Sequence, residues 1–224
     1  MKLLIVTATE MELSFFKNEI LYKYIDNENI HITLLNCGVG MVATSYYFTK
    51  HLQHNKYDFI LQAGVGGSFK DEIELGTLAF ITSEQFGDLG AEDHENYLNL
   101  FDLGLANKDI FPFTNGKLLT PNSPIHNKIN LPHFSGLTIN TVSGSDATII
   151  KRKSLFNCDI ESMEGAAFHY ICLLENMPFA QIRAVSNYVL PRDKSKWKMK
   201  EAIINLNNWI ADFVEFINVK KIEA

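Results

Sequence analysis

The chain has 224 residues, 46% of them hydrophobic, and a formal net charge of −6. That length suits one α/β domain with a sizeable core, while the acidic balance and scattered basic residues argue against a nucleic-acid surface, which needs basic patches to neutralise phosphates. No run approaches the ~20 apolar residues of a membrane span, the apolar run after Met1 is too short for a signal peptide, and Cys37, Cys158 and Cys172 are spaced for neither a disulfide framework nor a zinc site, so a cytoplasmic protein without a membrane partner is expected.

In chain order, LLIVTA (3–8) reads as a buried strand. EMELSFFKNEILYKY places Leu13, Phe16 and Ile20 at helical spacing and predicts one amphipathic helix. HITLLN (31–36) reads as a strand, VGMVATSYYFTKHLQ as an apolar helix, YDFILQA (57–63) as a strand ending in glycines, and TLAFITSEQ (77–85) as another strand. Residues 86–135, rich in Gly, Asn, Pro and His, read as a long excursion on the working side of the fold. Regular structure resumes with LTINTVSG (137–144), a helix from about 162 to 176, and the strand FAQIRAVSN (179–187). A last helix carries Ile203, Leu206, Ile210, Phe213 and Ile217 on one face. Strands alternating with helices predict an α/β fold: a single three-layer α-β-α domain over residues 1–224 with a mixed, mostly parallel central sheet.

The chemistry-bearing residues fall at strand ends. CGVGMVA spaces Gly38, Gly40 and Ala43 like a dinucleotide fingerprint. That fingerprint needs an acid at the end of the following strand; Asp58 lies before FILQA, so tight helix–strand packing is the expected role. AGVGG (63–67) follows a buried strand, where glycines let backbone N–H groups approach a ligand. TATEMEL presents Glu10 and Glu12. ESMEGAAF sets Glu161 and Glu164 three apart among small and apolar neighbours, where a carboxylate needs a partner. Arg183 sits inside an apolar strand, with Glu12 or Glu164 as its expected partner, and Asn187 closes that strand.

MKLLIVTATEMEL, AGVGG, VSGSDA (142–147), ESMEGAA and IRAVSN occur in this order across essentially the whole chain. Together they resemble the nucleoside phosphorylase/hydrolase family, in its nucleosidase branch. The resemblance implies hydrolysis of the bond between a purine and a ribose, with a purine nucleoside as the small-molecule partner. It calls for no metal and no cofactor, and implies a homodimer, for which the VGMVATSYYF helix is a candidate interface. It also implies that Glu12 activates water, that Met163 packs on the ribose, and that Glu164 bonds the ribose hydroxyls. Arg183 would help place the water, the backbone of Val65 and Gly66 would line the site, and Asn187 would bind the base near N7. Thr9 and Ser186, in the same motifs, are expected substrate contacts. TATEMEL offers carboxylates and no basic group, which suits water activation rather than phosphate binding. Members acting on adenine nucleosides carry an aspartate where this chain has Asn187. An amide donates to a 6-oxo group and accepts from N7–H, so a 6-oxopurine is expected.

Overall fold

The computed structural model describes residues 1–24 and 27–219. Its strands are β1 (Lys2–Thr7), β2 (His31–Asn36), β3 (Phe59–Ser68), β4 (Leu78–Phe86), β5 (Gly90–Asp93), β6 (Asn96–Asn99), β7 (Leu118–Leu119), β8 (His133–Thr138), β9 (Ile160–Ser162) and β10 (Phe179–Tyr188). The α-helices are α1 (Met41–Leu52), α2 (Asp146–Leu155), α3 (Gly165–Leu174) and α4 (Met199–Val219). The main sheet runs β10-β4-β8-β9-β3-β1-β2, and β10 also pairs with β3, so five strands close into a ring from which β1 and β2 extend. Pairs β1–β2, β1–β3, β3–β10, β4–β8 and β8–β9 are parallel; β4–β10 and β3–β9 are antiparallel. The expected mixed, mostly parallel sheet is present.

Helices cover both faces, as β1 illustrates. Its side chains alternate: Leu3 and Ile5 join Phe16, Phe59, Leu206 and Ile210 under α4, while Leu4 and Val6 join Phe48, Phe168 and Phe179 under α1 and α3. A strand buried on both sides reads as a continuous apolar run, which is why its position was legible. On α4, Leu206, Ile210, Phe213 and Ile217 are buried as predicted; each such side chain contributes about 1.5–3 kcal/mol of transfer free energy.

Four expectations change. Residues 10–24 are not one α-helix. They form a 3-10 turn (Glu10–Leu13), a π turn (Phe16–Ile20) and a second 3-10 turn (Leu21–Tyr24). The cause lies on α4. Asn207 Nδ2 donates to Glu12 O at 2.8 Å, and Phe16 N donates to Asn207 Oδ1 at 2.9 Å. Glu12 O and Phe16 N are the two groups that an α-helix would join to each other. A side chain inserted into that ladder breaks the helix there.

Second, β3 continues to Ser68, so AGVGG lies within the strand rather than after it. Its glycines make room: a Cβ at Gly64 would lie 2.6 Å from Arg183 Nη1, and one at Gly66 2.7 Å from Ile160 Cγ2. Third, β8 ends at Thr138, earlier than predicted, and α2 follows where no helix was expected. Its pattern is weak, with Ile149 buried and Ile150 exposed. Fourth, the 86–135 excursion holds the β5–β6 hairpin and β7. Phe113 packs on Phe86, Phe101 and Tyr170, and Leu118 is fully buried. The excursion therefore wraps the outside of β4 and α3, away from the strand-end cavity described next.

Candidate active site

A cavity of about 280 Å³ opens at the ends of β1, β3, β9 and β10. Thr9, Glu12, Val65, Gly66, Met163, Glu164, Ser186 and Asn187 all line it, and no residue of 86–135 does. Of the predicted site residues, Arg183 alone is absent from the wall.

Glu12 is 5% exposed. Its Oε2 accepts from Ala8 N at 3.0 Å, Thr9 N at 2.8 Å and Thr9 Oγ1 at 3.2 Å, and its Oε1 from Val65 N at 3.3 Å. Burial pushes its pKa above the ordinary glutamate value; the Arg183 charge and these backbone N–H groups oppose that, and the Glu164 charge reinforces it. A raised pKa makes a carboxylate a better proton acceptor near neutrality.

Glu164 sits just before α3 and is clamped from two sides. Gly40 N donates to its Oε1 at 3.0 Å, and Arg183 Nη1 to its Oε2 at 3.2 Å. The glycine loop that imitates a dinucleotide fingerprint thus has a specific task. Gly40 has φ +89°, a conformation that favours glycine and aims its N–H at the carboxylate. Of the two partners considered for Arg183, the structure selects Glu164. Arg183 is 1% exposed and lies behind the wall, where its Nη1 also donates to Val65 O at 3.3 Å. From there it braces Glu164.

Asn187 follows a register shift in the β10–β3 pairing after Val185, which turns its side chain toward the cavity. Its Oδ1 lies 2.9 Å from Ser186 Oγ, and its Nδ2 donates to Tyr188 O at 3.0 Å. Ser186 Oγ is also 3.2 Å from Gly66 O, so its single proton serves one acceptor at a time.

Several wall residues had no assigned role in the sequence reading. Glu161 accepts from Ser143 N at 2.9 Å, Ser143 Oγ at 2.5 Å and Arg152 Nη1 at 3.4 Å. Burial raises its pKa, against those hydrogen bonds and the arginine. The VSGSDA motif therefore works by fixing a carboxylate of ESMEGAA. Met11, Val39, Leu190, Trp197, Met199 and Ile203 supply an apolar wall, and Arg192 a cation. The signal for Trp197 was a large aromatic inside the charged run KSKWK. Beneath the site, Glu84 is fully buried and accepts from Thr138 Oγ1 and Gln181 Nε2, each at 2.9 Å. Thr138 Oγ1 in turn takes the Ala166 N–H at 2.7 Å, tying this carboxyl to the start of α3. Among the described residues, no cluster of His, Cys, Asp or Glu is placed to hold a metal, and no helix is long and apolar enough to cross a membrane.

A ring-closed α/β sheet with two clamped carboxylates and an amide at its strand ends defines a class, and the comparisons give the same one: the chain matches the phosphorylase superfamily over residues 4–217 and belongs to it. It is 26% identical over 205 residues to the futalosine hydrolase of Thermus thermophilus, covering 89% of each chain. It is 28% identical over 157 residues to the futalosine hydrolase of Streptomyces coelicolor, covering 70% of this chain and 65% of that one, just under two thirds of that relative's length. In fold it is similar to a 5′-methylthioadenosine/S-adenosylhomocysteine nucleosidase from Colwellia psychrerythraea solved with adenine, with a TM-score of 0.76 at 17% identity over 96% and 95% of the two chains. Those names agree with the enzyme class expected from the sequence.

Proposed function

We propose that the protein is a nucleosidase that hydrolyses the N-glycosidic bond of futalosine, releasing hypoxanthine and dehypoxanthine futalosine in the futalosine route to menaquinone. The observation that carries this reading is an amide, Asn187, in the wall of a cavity that also presents Glu12 and Glu164. The stretches ESMEGAAF and SNYVLPRDKSKW resemble those of futalosine hydrolases, and the Streptomyces and Thermus relatives bear that name.

In this mechanism Glu12 takes a proton from water as the water oxygen attacks C1′ of the ribose. The C1′–N9 bond breaks, its electron pair leaves with the purine, and N7 takes a proton from solvent water, so that the base departs as neutral hypoxanthine in the N7–H form. Glu164 accepts hydrogen bonds from the ribose hydroxyls and stabilises the positive charge that builds on the sugar, an effect worth several kcal/mol when preorganised. Gly40 and Arg183 supply the preorganisation. Met163 packs on the ribose, Thr9 and Ser186 contact the substrate, and the Val65–Gly66 backbone borders it. Asn187 Nδ2 donates to O6 of hypoxanthine, and Oδ1 accepts from N7–H. Against adenine, the same Nδ2 would face an amino donor. A buried site with one hydrogen-bond pattern rejects the other by up to ~10⁴-fold. The first loop offers no cation to hold phosphate, which favours water as the acceptor.

The reading includes a cytoplasmic homodimer of one-domain subunits. On α1, Val42, Tyr46 and Tyr47 are exposed and available for that contact. The test is incubation with futalosine, inosine and methylthioadenosine side by side in phosphate-free buffer, with products separated by chromatography. Hypoxanthine from futalosine is expected, and release that requires phosphate would remove the hydrolase assignment.

A further inference from the structure

The cavity wall holds three carboxylates, Glu12, Glu161 and Glu164, and one cation, Arg192. Glu164 and Glu161 are already paired with arginines behind the wall, so an anionic ligand is drawn to this cavity only by a cation that is not already paired. Lys194 and Lys200, close by in the chain, do not line the cavity, and four other basic groups are engaged. Arg183 and Arg152 are taken by Glu164 and Glu161, Lys196 reaches Asp193 at 3.7 Å, and Lys198 reaches Glu201 at 3.2 Å. Among the described residues, Arg192 has no acidic partner.

Arg192 is exposed, with an aromatic neighbour for its guanidinium and a tether for its backbone. Its guanidinium carbon lies 5.1 Å from the centre of the Trp197 ring, and its backbone N donates to Gly144 O at 3.3 Å, which ties the segment to the VSGSD loop. Stacking on an indole face leaves the in-plane N–H fork of a guanidinium available. That fork fits a carboxylate with two parallel hydrogen bonds. Leu190, Met199 and Ile203 in the same wall are apolar and suit an aryl or alkyl spacer.

We infer that Arg192 is the anion-recognising residue of this cavity, taking a carboxylate carried on the non-purine end of the nucleoside. The inference rests on the nucleosidase reading above and adds to it the residue that selects an acidic substituent. A free phosphate ion would suit the same guanidinium, and the test separates the two.

The experiment compares parent protein with Arg192→Met and Arg192→Lys, using futalosine, which bears a carboxyphenyl group, and inosine, which does not. In phosphate-free buffer, Arg192→Met is expected to lower kcat/KM for futalosine about 10- to 100-fold more than for inosine, the scale of a hydrogen bond to a charged group. Arg192→Lys should recover part of that difference, because it restores charge without the fork. The futalosine KM of the parent should rise with salt, and that dependence should fade in Arg192→Met. Equal losses for both nucleosides, no loss, or a difference that appears only with added phosphate would each overturn the inference. Calorimetric binding of futalosine gives the same comparison without turnover. Binding with no base released defeats the nucleosidase reading, whereas equal affinity in parent and Arg192→Met defeats the inference alone.

Discussion

Glu84→Gln is the sharpest test of the buried charge beneath the site. Glu84 is fully buried, and a Cβ at Gly136 or Gly165 would overlap its carboxyl, so the group fills a space kept for it. Burial pushes its pKa up to about 7 from an ordinary 4.5, against the Gln181 and Thr138 hydrogen bonds and the Arg183 charge. Below pH 4.5 the carboxyl is neutral in folded and unfolded chains alike and costs nothing. Between 4.5 and about 7 the unfolded chain ionises while the folded one keeps its proton, so stability falls as pH rises. At ~1.4 kcal/mol per pH unit the loss levels off at about 3 kcal/mol above neutrality. Glutamine keeps the shape and never ionises. The Gln181 amide, whose Oε1 makes at most a long contact with the His169 ring, can turn to meet the new NH2. The assay is urea denaturation of parent and variant at intervals from about pH 4 to 8. Glu12 and Glu161 titrate in both chains, so the difference isolates Glu84. The variant should gain about 3 kcal/mol relative to the parent across that range. A difference that stays constant with pH would refute the argument.

Three further outcomes are expected. Glu12→Gln should reduce kcat/KM by ~10²–10⁴-fold with a melting temperature near the parent's, and near-parental turnover would remove Glu12 from the reaction. Because a general base must be ionised and burial raises the Glu12 pKa, the acid limb of the parent's kcat/KM profile should lie above the ordinary glutamate range, with activity lost as pH falls through it. Asn187→Asp should shift the ratio of methylthioadenosine to inosine cleavage toward the 6-aminopurine, and an unchanged ratio contradicts the base-recognition argument. Gly64→Ala would put a Cβ 2.6 Å from Arg183 Nη1 and 2.8 Å from Glu12 Oε1; a loss of about 1–3 kcal/mol by thermal melting and lower activity are expected.

What was legible in the chain was whatever repeats locally. The run LLIV announced a strand buried on two sides, and the α4 face announced its own burial. The strand-end residues Glu12, Glu164 and Asn187 stood out because polar groups in apolar company demand partners, and the structure brings them to one cavity. The partners themselves were not legible. Gly40 and Glu164 are 124 residues apart, and Ser143 and Glu161 are 18 apart, so no window along the chain contains either pair. The irregular helix after β1 was hidden for the same reason. Its own spacing is helical, and the residue that interrupts it lies on α4. Arg183 shows the converse: its burial was foreseen, but which side of the wall it occupies depends on the space left by Gly64.

The Asn207 insertion makes two distant parts of the chain mechanically one. Met199 and Ile203 line the cavity, and one helical turn beyond Ile203 the same rod grips the peptide of Glu12. Had the helix after β1 been continuous, the Glu12 carbonyl would answer only to its own neighbours. Instead its position is referenced to α4, whose first turn follows directly on the segment that carries Arg192 and Trp197. The cavity lining and the placement of Glu12 are thus tied to a single rod, anchored in the core at Leu206 and Ile210.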